Sequence, residues 1–198
     1  MPYPFDSDTY AVLDLPEPVA SKLMAIRRKH RDAFRSALPA EITVVGSGGV
    51  GCFMPDEDPE HVWAVLGQIA ASTAPIETAM GEVIRFPGTD LFVFRPDPDD
   101  QLRALHERIA TSSIRFQPNR FPYTPHCTLR GRSPVTEDDV ASLLAERIPD
   151  RFRLNRMSVY RLEEGPSQEV PVLCKLIRRW SLGSAEPSPA HVSSQTGS

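Results

Sequence analysis

The sequence lacks most of the features that announce a function. Its three cysteines, Cys52, Cys127 and Cys174, are odd in number, far apart and never spaced C-x-x-C. That excludes a disulfide framework and a zinc knuckle, and reduced thiols are expected. No stretch approaches the ~18 consecutive apolar residues that a membrane span requires. The N-terminal MPYPFDSDTYAVLDL has no basic start followed by an apolar core, so no secretory signal is expected either. An excess of positive charge is also missing. The formal net charge is -4 and the pI is near 5.7, which excludes a general nucleic-acid coat and a polybasic membrane binder. The expectation is therefore a cytoplasmic monomer away from any membrane, in which a local cluster of cations must hold any anionic ligand.

What is present is ordinary for a globular chain. The 198 residues are 40% apolar and 24% charged, enough for one large domain with a real core. TYAVLDL (9–15) alternates like a strand, and residues 17–34 carry Val19, Leu23, Ile26, His30 and Phe34 at helical spacing. EITVV predicts a second strand and PEHVWAVLGQIAAS a helix opened by Pro59. IETAMGEVIRF and LFVF read as strands, DDQLRALHERIA as a helix, HCTLR as a strand and TEDDVASLLAERI as a helix with Thr136 and Asp139 placed as a capping box. RFRLNRMSVYRL and EVPVLCKLIRRWSL are expected to be the last two strands. The polar, Ser/Pro-rich segment 183–198 is expected to be a disordered tail behind a single domain over 1–182.

The order of elements repeats. EITVVGS aligns with HCTLRGR, so that Glu41 meets His126, Thr43 meets Thr128 and Gly46 meets Gly131, at a constant offset of 85 residues. An α+β fold follows: a bilobal duplication in which two antiparallel-sheet lobes with flanking helices surround a central cleft.

Gly46, Gly48 and Gly51 also spell G-x-G-x-x-G, but Pro55 and Pro59 interrupt any helix begun at Gly51, so a dinucleotide loop is not expected. On alternating strands, His126, Thr128 and Arg130 share one face while Cys127 turns away, and Glu41 and Thr43 share the corresponding face. If the lobes face each other, these groups suit in-line displacement at a phosphodiester. One group removes a proton from the attacking oxygen, another protonates the leaving oxygen, and hydroxyls hold the remaining oxygens, with no metal or cofactor called for.

From Ser112 to Thr136 there is no Asp or Glu, while Arg115, Arg120, Arg130 and Arg132 accompany His126, a local cationic cluster for phosphate. Phe121 and Tyr123 precede it in a proline-punctuated loop; either ring can stack on a base, although loop packing is the simpler role. His30, His61 and His106 fall in predicted helices and read as surface or packing residues.

The run R-F-P-Y-T-P-H-C-T-L-R-G-R (120–132) resembles the second H-x-T/S motif of the two-histidine phosphoesterase superfamily, which includes 2′-5′ RNA ligase-like proteins and 2′,3′-cyclic nucleotide phosphodiesterases. The resemblance in lobe order extends over most of residues 9–181. It implies a bilobal fold with two facing motifs, His126 as a catalytic residue, Thr128 and Thr43 as the motif hydroxyls, and no required metal or cofactor. The implied partner is a nucleotide or short RNA bearing a cyclic phosphate or phosphodiester. This chain departs from the pattern at Glu41, which stands where the first motif has its histidine.

Three readings of Glu41 stay open. It is a general base working with protonated His126 as acid; or it marks an inactive homologue that binds or sequesters a cyclic nucleotide or oligonucleotide; or it is a solvated residue at a strand start. Arg130, Arg132, Arg120 and Tyr123 complete the candidate substrate-binding set.

Overall fold

The computed structural model describes residues 5–131 and 135–183. The elements run β1 (Thr9–Asp14), α1 (Val19–Lys29), α2 (Ala33–Ser36), β2 (Glu41–Val45), α3 (Pro59–Ala71), β3 (Ile76–Arg85), β4 (Phe92–Asp97), α4 (Asp100–Ala110), β5 (Cys127–Arg130), α5 (Glu137–Leu144), β6 (Arg151–Leu154), β7 (Arg156–Glu164) and β8 (Val172–Ser181). They form two four-stranded sheets, ordered β2-β1-β7-β8 and β5-β4-β3-β6, in which every pairing is antiparallel. The duplication is real: in each sheet the motif-bearing strand is an edge, paired to the strand that precedes it across a helix.

The helices follow local chemistry. Asp58 caps α3 by accepting from the Glu60 amide, with Pro59 in the first turn, where a missing N–H costs nothing. Thr136 and Asp139 close the reciprocal capping box of α5. The helix expected over 17–34 stops instead at Lys29. His30 is its C-cap, Arg31 turns to a φ of 56°, and Asp32 starts a short second helix by accepting from the Arg35 amide.

The helices are exchanged between sheets. α3 and α4 lie against β8 and β2, whereas α1 and α5 lie against β5 and β3. Each lobe's connecting helix thus covers the other lobe's motif strand, and this brings the edges β2 and β5 side by side. One apolar core runs under both sheets, from Leu13, Ile42 and Val44 to Phe94, Cys127 and Leu129. On the opposite face of the first sheet, Val12 stands across from Thr43 and Asp14 from Glu41, beside a smaller apolar cluster of Tyr10, Val12 and Tyr160.

The segment expected to be one strand over 151–162 is two. β6 pairs with β3 and β7 with β1, so the chain changes sheets at Asn155, whose carbonyl accepts the Leu182 amide at 2.9 Å. Burial shows the cause. Phe152 and Leu154 point inward on one phase and Met157 and Val159 on the next, so the alternation slips by one residue at the crossing. Among the described residues, no helix is long and apolar enough to cross a membrane. Residues 184–198, most of the expected tail, lie outside the described residues.

Candidate active site

The glycine-rich loop after β2 meets the loop before β5. The Gly49 amide donates to the Phe121 carbonyl at 2.8 Å, and the Gly51 amide to the Gln117 carbonyl at 3.0 Å. Glycine is required for contact. At Gly49, with φ of 71°, a Cβ would sit 2.1 Å from His106 Nε2; at Gly46, with φ of 108°, it would sit 2.8 Å from Tyr10 Cβ. Gly49 and Gly51 join the lobes, whereas Gly46 packs on β1 of its own sheet, and no helix opens at Gly51, since α3 begins at Pro59.

Across that junction, Tyr123 donates its hydroxyl to the Thr43 carbonyl at 3.1 Å while its ring stacks on His106 at 3.8 Å. His106, buried in α4, fixes the same strand one residue on, donating from Nδ1 to the Val44 carbonyl at 2.8 Å. The packing role expected for His106 and Tyr123 is thereby explained: together they hold Thr43.

Glu41 is 3% exposed, so it is not a solvated residue at a strand start; the structure overturns that reading. Its Oε2 accepts the Thr43 hydroxyl at 3.0 Å. Burial pushes its carboxyl above the ordinary range, against the pull of Arg27, Arg35 and the Thr43 hydroxyl, and the Asp14 carboxylate pushes the same way as burial. His126, just before β5, moves oppositely. It is half-buried, lies edge-on to Phe86 at 5.2 Å, and has its imidazole held below its usual value by burial, reinforced by Arg35 and opposed by the Thr124 carbonyl. That carbonyl lies 2.6 Å from Nδ1. A carbonyl only accepts, so Nδ1 carries the proton and Nε2 keeps the lone pair in the neutral ring.

Two arginines that sequence reasoning passed over organise this region. Arg27 is fully buried on α1 and donates to the Thr128 carbonyl at 3.1 and 2.8 Å, and to the Arg35, Leu38 and Pro39 carbonyls. It therefore ties β5 to the segment leading into β2. Arg35, half-buried on α2, acts electrostatically on both Glu41 and His126 and approaches Gly131. Asp32 sets its place, accepting the Arg35 amide at 2.8 Å and the Gly131 amide at 2.9 Å. A signal for Arg27 existed, because it falls on the apolar stripe of its helix, four residues after Leu23.

Glu41 and Thr43 thus meet directly, Tyr123 holds the Thr43 carbonyl, and Glu41 and His126 share the field of Arg35, while Thr128 is buried on β5 across from Val93. Of the arginine cluster read from residues 112–136, the described members turn to other groups. Arg115 pairs with Asp56 at 3.2 Å and Glu57 at 2.8 Å. Arg120 is exposed and lies over the Phe121 ring, which is itself 57% exposed rather than packed in the loop. Arg130 does not share the Thr128 face as strict alternation expects. A bulge between Phe92 and Val93 shifts the register, and Arg130 turns to Asp139 at 3.8 Å, lining a surface pocket with Lys29, His30 and Arg31. Arg132 lies outside the described residues. All three cysteines are free, and burial pushes the Cys127 thiol up to about 12, so it is an inert part of the core. Among the described residues, no three His, Cys, Asp or Glu side chains gather to hold a metal ion.

Solved structures share this architecture. TT0787 of Thermus thermophilus superposes with a TM-score of 0.64 at 18% identity, covering 90% of this chain and 100% of that one. E. coli LigT complexed with 3′-AMP gives 0.58 at 15% identity, covering 89% and 98%, and LigT complexed with NADP+ gives 0.57 at 15%, covering 90% and 99%. At such identities the likeness is one of fold. No curated protein sequence matches the chain. The family model of the 2'-5' RNA ligase superfamily matches residues 15–166, most of the chain and both motif strands, and this protein, a phosphoesterase of the 2′-5′ RNA ligase-like type, belongs to that superfamily.

Proposed function

We propose that this protein acts on a 2′,3′-cyclic phosphate or phosphodiester of a nucleotide or short RNA, by acid–base catalysis that needs no metal. One observation carries the reading: the tautomer of His126. With Nδ1 committed to the Thr124 carbonyl and the ring's proton affinity lowered, Nε2 is a lone-pair acceptor at neutral pH, the form a general base needs. In hydrolysis, Nε2 takes a proton from water, the water oxygen attacks phosphorus, and the ribose oxygen leaves. Arg35 and the hydroxyls of Thr43 and Thr128 hold the phosphoryl oxygens. Glu41, whose burial favours the uncharged carboxyl, is the source of the acid proton. The roles are the reverse of those drawn from residue types alone, because burial favours the uncharged form of both groups. LigT was crystallised with 3′-AMP, with phosphate and with ATP, which supports a nucleotide phosphate as the ligand class.

The second reading, a homologue that binds such a ligand without turnover, draws on the 3% exposure of Glu41. A panel of 2′,3′-cyclic nucleotides, assayed with and without EDTA, separates the two. Turnover that survives chelation and falls about 10²- to 10⁴-fold in His126→Ala supports the enzyme. Calorimetric binding without product supports the binder, and turnover abolished by EDTA overturns the metal-independent mechanism.

A further inference from the structure

Glu41 and Thr43 share a face and a hydrogen bond, but their access to a ligand differs. The carboxyl is 3% exposed, whereas Thr43 is half-buried, and its hydroxyl meets Glu41 Oε2 at 3.0 Å. The Thr43 backbone is fixed from behind by the Tyr123 hydroxyl at 3.1 Å. A carboxyl so enclosed cannot itself touch a leaving oxygen in this arrangement. With the carboxyl ionised, the Thr43 hydroxyl donates to Oε2. With the carboxyl protonated, the same 3.0 Å contact runs from the carboxyl O–H to Thr43 Oγ1, and the single hydroxyl proton of Thr43 is released to point at a ligand.

We infer that Glu41 works through Thr43: the Thr43 hydroxyl is the group that protonates the leaving oxygen, and Glu41 is the positioning and proton-supplying residue behind it. This rests on the function proposed above. For a cyclic phosphate the step balances as follows. His126 Nε2 takes a proton from water and the water oxygen bonds to phosphorus. The bond from phosphorus to the ribose oxygen breaks, and that oxygen takes the Thr43 hydroxyl proton as Oγ1 takes the proton of the Glu41 carboxyl. The products are the phosphomonoester, imidazolium and carboxylate, and proton exchange with solvent from His126 to Glu41 restores the start.

The surroundings suit the exchange. Arg27 from α1 and Arg35 from α2 stabilise the carboxylate once formed, while Asp14 on the adjacent strand and burial favour its return to the neutral acid. Tyr10 on β1, Cys127 on β5, Tyr123 in the preceding loop and Cys174 on β8 also lie within electrostatic reach of Glu41. Burial raises all four, so they stay neutral while Glu41 titrates.

The test is the pH–rate profile for a 2′,3′-cyclic nucleotide in the full-length protein and in Glu41→Gln, Thr43→Ser, Thr43→Val and the Glu41→Gln/Thr43→Val double variant, each first shown to be folded by circular dichroism. The wild type has an acid limb from His126 and an alkaline limb from Glu41. Thr43→Ser keeps both limbs. Glu41→Gln and Thr43→Val each lose about 10²- to 10⁴-fold and lose the alkaline limb, and the double variant is no slower than the worse single one, as expected for groups acting as a unit. A Thr43→Val enzyme that is slower but keeps its alkaline limb overturns the relay, since Thr43 then only holds phosphate. So does a Glu41→Gln enzyme at the wild-type rate, or a double variant whose losses multiply. If His126→Ala abolishes turnover while the relay variants behave in any of those three ways, the proposed function stands and this inference alone fails. A wild type inert on the whole nucleotide panel removes both.

Discussion

The two motif strands occupy equivalent edges of equivalent sheets, and each presents an ionisable group and a threonine two residues on. Their chemistry nevertheless diverges. On β2 the ionisable group is a carboxyl at 3% exposure, facing two arginines and an aspartate; just before β5 it is a half-buried imidazole whose Nδ1 is tied to a carbonyl. A single cause, loss of water, drives the carboxyl up and the imidazole down. A duplicated frame with unlike residues therefore shifts both groups toward their uncharged forms. A frame with two solvated copies of those residues would hold an anion and a partly charged imidazole.

The largest test of this comparison is Arg27, which serves both halves. Arg27→Met removes the donors to the Thr128, Arg35, Leu38 and Pro39 carbonyls, and is expected to cost about 3 kcal/mol or more, because buried acceptors left unmatched are penalised at about 1–3 kcal/mol each. Urea midpoints measure it, and a loss below about 1 kcal/mol would mean that the two motif strands are held by something else.

A second test uses the opposed shifts. Glu41 lies above its ordinary 4.5, so its contribution to stability is fully present below that pH and is lost as pH rises through the folded value. His126 lies below its ordinary 6.5, so its contribution is fully present above that pH and is lost as pH falls through the folded value. Glu41→Gln should match wild type in acid and exceed it in alkali, by ~1.4 kcal/mol for each pH unit separating the folded and unfolded values. His126→Gln should match it above 6.5 and exceed it in acid. Denaturation series across pH give both, and curves with the same sign would break the contrast.

The smallest effect is at the junction. Tyr123→Phe keeps the stack on His106 and loses the bond to the Thr43 carbonyl, for ~1 kcal/mol in stability. A fall in turnover beyond that figure would show that Thr43 has to be held in register as well as present.

Much of the fold was legible because apolar periodicity is local. The helices over 59–71 and 100–110 fall within a residue or two of expectation, and the 85-residue duplication reappears as the matching edges β2 and β5. The misses arose where distant packing decides. Nothing within RFRLNRMSVYRL names two partner sheets, although Phe152, Leu154, Met157 and Val159 are spaced two, three and two, and the middle interval is the trace of the crossing. The helix end at His30 and the turn at Arg31 serve Asp32, whose partner Gly131 is 99 residues away. Of the arginines near His126 in sequence, Arg115 faces Asp56 and Glu57, Arg130 faces Asp139 and Arg120 is exposed, while the cations that act on the site come from α1 and α2.

Residue order alone pointed to the groups at the paired edges, a carboxyl and an imidazole each two residues before a threonine, and alternation along the backbone placed Glu41 and Thr43 on one face. It also excluded a dinucleotide loop, because proline cannot continue a helix begun at Gly51. Protonation was settled elsewhere. Whether Glu41 leans toward the anion or the acid depends on how much water the packed lobes remove, a fact of tertiary packing, and which nitrogen of His126 is free depends on how the loop folds the Thr124 carbonyl back onto Nδ1.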